Sequence, residues 1–348
     1  MSNNKKLIPV RDLKIGMITA NEVVYNGMIL IGEGITINAQ MLEKLNTFFL
    51  FDSIEVYSDE KDNSNEILEL KAADKTLKDI SIDVKLIFDN AKTLESSNTN
   101  EINEYAKKLL NELNLNKYIL KNIVLNGSGS DCIYRHSVNV ASLSYLIGKW
   151  HGFDSNKLHN LVYASLLHDF GKTKIDKNLI DKNRIFSEEE FEIIKTHPVI
   201  AYDEIKKVPF INKSVLYAVL MHHERCDGSG YPLGLKSNQI HEFAKIVAIA
   251  DVFDATNSNR AYRDKKQPLE ILKIIKEDSL SKLDYTLCSK FLNGMSNFYI
   301  GQTVLLNNNK KCKVIQMDLN NISSPLVLCD DEFIDLSKSN DLYVTEIL

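Results

Sequence analysis

The sequence predicts a mainly α protein: a helical bundle flanked by a small α+β N-terminal piece and a β-rich C-terminal extension. Three observations carry this. From about residue 66 to residue 292, apolar residues recur at the 3.6-residue period of a helix with one buried face. Short apolar runs divided by turn residues are confined to the first 57 and about the last 50 residues. Seven of the eight histidines fall within one stretch of about 90 residues, and five of them, His136, His168, His197, His222 and His223, sit on helical segments with apolar neighbours.

Taken in order, Val23-Val24-Tyr25-Asn26-Gly27-Met28-Ile29-Leu30 places Asn-Gly between apolar runs, a strong hairpin signal because both turn residues need positive φ. Asn38 is positioned to cap a helix with Met41, Leu42, Leu45 and Phe49 on one face, and Ile54–Tyr57 alternates like a strand. Beyond the polar stretch from Ser58, the positions of Ile67, Leu70, Ile82, Leu86 and Ile87 read as helix. Glu95–Glu101 reads as a polar break, and Ile102, Tyr105, Ala106, Leu109, Leu110 and Leu113 line a second helical face. Near the end, Val304–Leu306, Val314-Ile315 and Pro325–Leu328 are β-like. These shifts divide the chain into an accessory domain at 1–57, a helical linker at 58–119, a main helical domain at 120–293 and an extension at 294–348.

Length and composition narrow the function. A chain of 348 residues, 44% hydrophobic and 26% charged, is an ordinary globular protein of two to three domains. With a net charge of −5 it has no basic field for a nucleic acid polymer. Cys132, Cys226, Cys288, Cys312 and Cys329 are scattered without a CxxC pair, and so read as thiols of a reducing compartment. The opening MSNNKKLIPV lacks the apolar core of a signal peptide. The longest apolar stretches, such as Leu161–Leu167, fall far short of the roughly 20 residues of a membrane span. The expectation is a cytoplasmic protein.

His136 lies on the apolar side of a helix continuing through Val140, Leu143 and Ile147. His168-Asp169 end the buried segment Leu161–Leu167, ahead of Gly171. Ser187-Glu188-Glu189-Glu190 is a capping box that opens a helix ending at His197, where Pro198 forbids continuation. A helix over Val215–Val219 delivers His222-His223, and Asp251 sits in the apolar helix from Phe243 to Phe253. One histidine on an apolar face is ordinarily a satisfied core residue. Five imidazoles and two carboxylates on the inner faces of one bundle instead point to a metal site, because a buried unpaired carboxylate loses several kcal/mol of solvation.

Imidazole and carboxylate without thiolate suit first-row divalent ions. Successive helical residues point about 100° apart, so His222 and His223 are not expected to serve one ion symmetrically. That favours two ions sharing Asp169. Two ions that acidify a bridging water and neutralise phosphoryl charge suit phosphate-ester hydrolysis. Lys172 is placed to reach a phosphate oxygen. Tyr231, on the loop Gly228-Ser229-Gly230-Tyr231-Pro232, is placed to stack on a base, and Arg260 and Arg263 share a helix face able to fork a phosphate.

His168-Asp169-Phe170-Gly171-Lys172 together with His222-His223-Glu224-Arg225 and Gly230-Tyr231-Pro232 resembles the HD-GYP family of cyclic dinucleotide phosphodiesterases. The likeness covers about residues 120–293 and extends to Arg135–Ala141, Ser187–His197 and Ala248–Arg263. The first 57 residues more weakly resemble an accessory region found beside some of these domains. The resemblance implies a helical HD-type bundle that hydrolyses cyclic di-GMP to pGpG, and in some members on to GMP, with two or three divalent ions, often iron or manganese.

Carried onto this sequence, it makes His136, His168, Asp169, His197, His222, His223 and Asp251 the metal ligands, with Asp169 and Lys172 catalytic. Lys172, Arg225, Gly230, Tyr231, Pro232, Arg260 and Arg263 become substrate contacts. Three-metal members are similar in having Glu where this chain has Cys132, so two ions and a stop at pGpG are expected. Cys226 stands at a usual Trp, Lys245 at a usual Arg, and Asn257 and Asn259 at Thr and Asp.

Two other readings stay open: a receptor that binds cyclic dinucleotide without turnover, and an HD-type hydrolase of other nucleotides. The amphipathic helices between residues 66 and 120 suggest a homodimer, and the flanking pieces suggest signalling-protein partners.

Overall fold

The structure, a computed structural model, describes residues 5–348 apart from 26–27, 50–52, 58–62, 91–95, 117, 130–131, 181, 183, 259–265, 331 and 340. The N-terminal part runs β1 (Lys5–Pro9), β2 (Ile18–Thr19), β3 (Val23–Tyr25), β4 (Met28–Ile31), α1 (Ala39–Phe48) and β5 (Ser53–Tyr57). Then come α2 (Asn63–Asn90), α3 (Ser96–Leu115), α4 (Tyr118–Asn126), α5 (Cys132–His151), α6 (Ser155–Leu167), α7 (Lys177–Ile180), α8 (Glu188–Ile194) and α9 (His197–Ile205). The helices end with α10 (Lys213–Met221), α11 (Glu242–Asn257), α12 (Pro268–Asp278) and α13 (Tyr285–Tyr299). The remaining strands are β6 (Thr303–Leu306), β7 (Lys311–Gln316), β8 (Leu326–Cys329), β9 (Glu332–Asp335) and β10 (Val344–Ile347).

Two compact units result, one from residues 1–67 with 293–348 and the other from 68–292. In the first, β1, β5 and β2 form an antiparallel sheet in the order β1-β5-β2, and β3 pairs with β4 as a hairpin. The Asn26-Gly27 turn itself lies outside the described residues. Asn38 caps α1 by accepting from the Met41 amide at 2.9 Å. The C-terminal strands form a five-stranded sheet in the order β10-β6-β7-β8-β9. Residues from both ends of the chain share one core, in which Ile315 joins Val10, Ile35 and Ile54, with Leu326 and Phe333 packed against them.

The cysteine reading needs correction. Cys312 and Cys329 are joined by a disulfide with their Cα atoms 4.4 Å apart. Their separation of 17 residues carries no motif. The register of β7 on β8, which pairs Lys313 with Leu328, puts the two cysteines on the next rung, within bridging distance. Cys226 and Cys288 are free thiols.

In the helical unit, α2 buries Ala73, Leu77, Ile80, Val84 and Ile87, a spacing of three and four residues that keeps one face inward. Ile82 and Leu86 are exposed instead, on the opposite side of that helix. The polar break expected at Glu95–Glu101 differs as well: from Ser96 onward those residues form the first turns of α3. Asn100 and Glu101 are exposed there, and the buried stripe begins at Ile102. α5, α6, α10 and α11 pack side by side and carry the apolar centre. Among the described residues, no helix is long and apolar enough to cross a membrane.

Candidate metal centre

Three of the histidines are delivered by the same local device. α6 ends at Leu167 with His168 as its C-cap, and α10 ends at Met221 with His222 as its C-cap. α8 ends at Ile194, and His197 opens α9, with Pro198 in the first turn, where a missing N–H costs nothing. Pro198 therefore starts a new helix as well as barring the old one. The last turn of any helix leaves carbonyls without helical partners. His168 Nδ1 lies 2.6 Å from the Ser165 carbonyl, His197 Nδ1 2.7 Å from that of Ile194, and His222 Nδ1 2.7 Å from that of Val219. A carbonyl only accepts, so each Nδ1 carries the proton and each Nε2 keeps its lone pair.

Those lone pairs converge. His197 Nε2 and His222 Nε2 are 3.3 Å apart, two acceptors facing each other with no proton between them. His168 Nε2 and Asp169 Oδ1 are buried without a hydrogen-bond partner. Lone pairs of imidazole and carboxylate crowded together in a dry site are what a divalent cation satisfies. The side chains fall into two groups of possible ligands, Asp169 with His197, His222 and His223, and His136 with His168 and Asp251, each set of atoms within 4.8 Å of one another. Asp169 faces both: Oδ1 is 3.3 Å from His197 Nε2, while Oδ2 is 3.5 Å from His168 Nε2 and 3.9 Å from His136 Nε2. Asp251 also faces both, at 3.0 Å from His136 Nε2 and 3.7 Å from His223 Nδ1.

His222 and His223, not expected to serve one ion symmetrically, fall in one group of candidate ligand atoms. The 100° rule holds inside a helix, and both residues lie beyond Met221, where α10 has ended. Their rings stand 4.1 Å apart.

The other expected site residues are distributed as follows. Lys172, on the 3₁₀ turn Phe170–Lys174, donates to Asp169 Oδ2 at 2.6 Å. Tyr231 stacks on His223, with ring centroids 4.6 Å apart at 26°. Arg225 directs Nη1 at the carbonyls of Glu224 (2.9 Å) and His222 (3.3 Å), so it braces the loop. Gly230 is there for space: a Cβ would come within 2.3 Å of the Arg225 nitrogen. Pro232 follows Tyr231 through a cis peptide. Arg260 and Arg263 lie outside the described residues, as does the side chain of Cys132.

Sequence reasoning missed Glu224, Asn139 and Asp254. Glu224, only 2% exposed, accepts from the Leu233 and Leu235 amides at 2.7 and 2.8 Å and so folds the Gly-Tyr-Pro loop back over the histidines. Its place directly after His222-His223 was the available signal. Asp254, three residues after Asp251, was visible as a second acid on the same helix face.

Electrostatics suit neutral imidazoles beside ionised carboxylates. Burial, reinforced by neighbouring imidazoles, holds His222 and His223 well below the ordinary histidine range, and burial lowers His168 against the pull of Asp169. For Asp169, burial would raise the pKa, but Lys172, His168 and His197 outweigh it and hold the carboxyl well below the usual range. His136 is the exception. Burial opposes its charging, yet hydrogen bonds to Asp251 and Asp254 win and raise its pKa to about 9. A folded pKa above the unfolded value of about 6.5 stabilises fully below pH 6.5 and loses its effect as pH rises through the folded value. Chelator-treated protein should therefore show a melting temperature that falls between about pH 6.5 and 9. The fall should be absent in His136→Gln. An equal fall in both proteins would refute this origin.

An HD domain family model matches residues 84–287. The chain is 32% identical over 193 residues to the cyclic di-GMP phosphodiesterase PdeB of Borreliella burgdorferi, covering 55% of this chain and 50% of that one. It is 40% identical over 139 residues to a cyclic di-GMP phosphodiesterase of Thermotoga maritima, covering 39% and 37%. It thus spans half or less of those relatives' own length. In fold it is similar to Bd1817, an HDG"Y"P protein from Bdellovibrio bacteriovorus, with a TM-score of 0.54, 20% identity and coverage of 83% of this chain and 98% of that one.

Proposed function

The chain belongs to the HD domain family, in its HD-GYP group, and on that premise we propose that it is a metal-dependent phosphodiesterase hydrolysing cyclic di-GMP to pGpG. The observation that carries the reading is the convergence of three buried imidazoles, each with Nδ1 bound to a helix-end carbonyl: His168 Nε2 faces Asp169 Oδ2 at 3.5 Å, His197 Nε2 faces Oδ1 at 3.3 Å, and His222 Nε2 lies 3.3 Å from His197 Nε2. HD domains bind divalent metal, and the finer assignment proposed here is two ions, iron or manganese. One would be held by Asp169, His197, His222 and His223, and the other by His136, His168 and Asp251, with Asp169 turned toward both. When bound, such ions supply Lewis acidity and lower the pKa of water at the site.

The chain's own residues do the rest. Water adds to one phosphorus, the bond to the 3′ oxygen breaks, and the linear dinucleotide leaves. Lys172, one salt bridge from Asp169, brings an ammonium to where charge grows on the phosphoryl oxygens. Glu224 and Gly230 hold the Gly-Tyr-Pro loop so that Tyr231 covers His223, and the base-facing role of Tyr231 and Pro232 belongs to this reading. Arg225, Arg260 and Arg263 complete the proposed substrate contacts. Chromatography of cyclic di-GMP and cyclic GMP-AMP reactions with manganese- or iron-loaded protein tests the reading. Metal-dependent pGpG supports it, whereas full metal occupancy with binding but no product would favour the receptor.

A homodimer through the helices between residues 66 and 120 also belongs to the reading, since Ile82 and Leu86 are exposed one turn apart on α2. Light scattering should give a dimer mass at micromolar concentration, and a monomer there overturns this part. Signalling-protein partners for the flanking pieces and a cytoplasmic location complete the proposal.

A further inference from the structure

His136 differs from the other histidines in where it sits. His168, His197 and His222 stand at helix ends and take a spare carbonyl, but His136 lies in the second turn of α5, where backbone carbonyls are already used. A side chain must supply its acceptor. Asp254 Oδ2 lies 2.8 Å from His136 Nδ1, while Asp251, one turn earlier on α11, faces Nε2 at 3.0 Å. The imidazole is therefore spanned by two carboxylates of one helix face.

Asp254 is fully buried and cannot turn away. Oδ2 also accepts from Ser128 Oγ at 2.6 Å, and Oδ1 accepts from Asn139 Nδ2 at 2.8 Å. Ser128 is itself held, since its amide donates to Ser258 Oγ at 2.8 Å and its hydroxyl lies 2.8 Å from the same atom. Asn139, one turn beyond His136 on α5, accepts from Arg135 Nε at 3.2 Å.

Resting on the metal reading above, we infer that Asp254 is a positioning residue that fixes the ring and tautomer of His136, so that Nε2 presents its lone pair to the ion held with His168 and Asp251. A carboxylate at Nδ1 requires the proton there. An asparagine in its place can turn its NH₂ toward the ring, moving the imidazole proton to Nε2 and removing the ligand. The same carboxylate–imidazole logic orients histidines in other metal and catalytic sites.

The test is calorimetric titration of the chelator-stripped full chain with Mn²⁺, for wild type, Asp254→Asn, His136→Gln and the double variant, with melting curves of each. Wild type should bind in two events. Asp254→Asn should weaken one of them about 10–100-fold and leave the other alone. In the His136→Gln background the same change should cost almost nothing more, because a residue acting through His136 has nothing left to position. Wild-type affinity in Asp254→Asn overturns the inference, as does an undiminished further loss in the double variant. Should Asp254→Asn not fold, Ser128→Ala removes one of the three donors and should weaken the same event less; unchanged affinity there overturns the inference as well. Wild type that binds no Mn²⁺ refutes the metal reading and this inference together, whereas wild type that binds beside an unaffected Asp254→Asn refutes only the inference.

Discussion

Asp169→Ala should lower hydrolysis of cyclic di-GMP by at least about a thousandfold, the scale on which removing one member of a cooperating catalytic unit acts. The reason is geometric. Asp169 faces both groups of candidate ligands, with Oδ1 at 3.3 Å from His197 and Oδ2 at 3.5 Å from His168, so a single truncation would take a ligand from each of the two proposed ions. Asp169→Asn should fail almost as completely, since it keeps the shape and loses the charge. Melting temperature should change little. Breaking a buried ion pair is costly when a charge is stranded, but the partner here, Lys172, has a side chain 21% exposed and can swing to water. His168 and His222, held well below the ordinary histidine range, lose no counterion, and His136 keeps Asp251 and Asp254. Product chromatography with metal content measured alongside checks this. Turnover near wild type in Asp169→Ala would remove Asp169 from the mechanism.

Gly171→Ala should destabilise the protein by about 3 kcal/mol or more, at or beyond the upper end of ordinary overpacking. A Cβ there would stand 2.0 Å from the His197 carbonyl oxygen, 2.8 Å from its carbon and 3.0 Å from the Ala201 nitrogen. All three are backbone atoms of α9, so no rotamer change relieves the clash, and the helix must move. Because His197 opens that helix, the displacement passes straight into the ligand group, and Mn²⁺ affinity should fall with stability. Gly152→Ala is the contrast. Its φ is +92 and nothing lies within 4 Å, so the cost is backbone strain of about 1–2 kcal/mol with Mn²⁺ affinity unchanged. Thermal melts and Mn²⁺ titrations of the two variants separate the effects. Gly171→Ala that matches wild type in both would show that α9 can yield without cost.

The readable parts of the sequence were those in which a few neighbouring residues decide the outcome. Asn38 and Ser187 could be recognised as caps because a cap is a bond across three residues, and both bonds form. Leu161–Leu167 could be recognised as buried because a helix apolar all round has no face to show to water. The pairing of His168 with Asp169 at a helix end, and of His222 with His223 at another, stood in the sequence as an improbable concentration of polar groups among apolar ones. The apolar residues Ile82 and Leu86 misled, since a helix with apolar residues on two sides does not announce which side is buried.

What the sequence by itself determined was therefore the helical centre, its caps and the segments that carry the candidate ligands. Tertiary structure alone decided which imidazole meets which carboxylate: that His222 and His223 turn to one group once α10 has ended, and that Asp254 of α11 reaches His136 of α5 across 118 residues. It also decided that Cys312 meets Cys329 and that the two ends of the chain share one core. Caps and periodicities are set by contacts within one or two turns. Pairings across helices and strands depend on the rotation of each helix and the register of each strand, and those are settled only when all the packed faces must be satisfied at once.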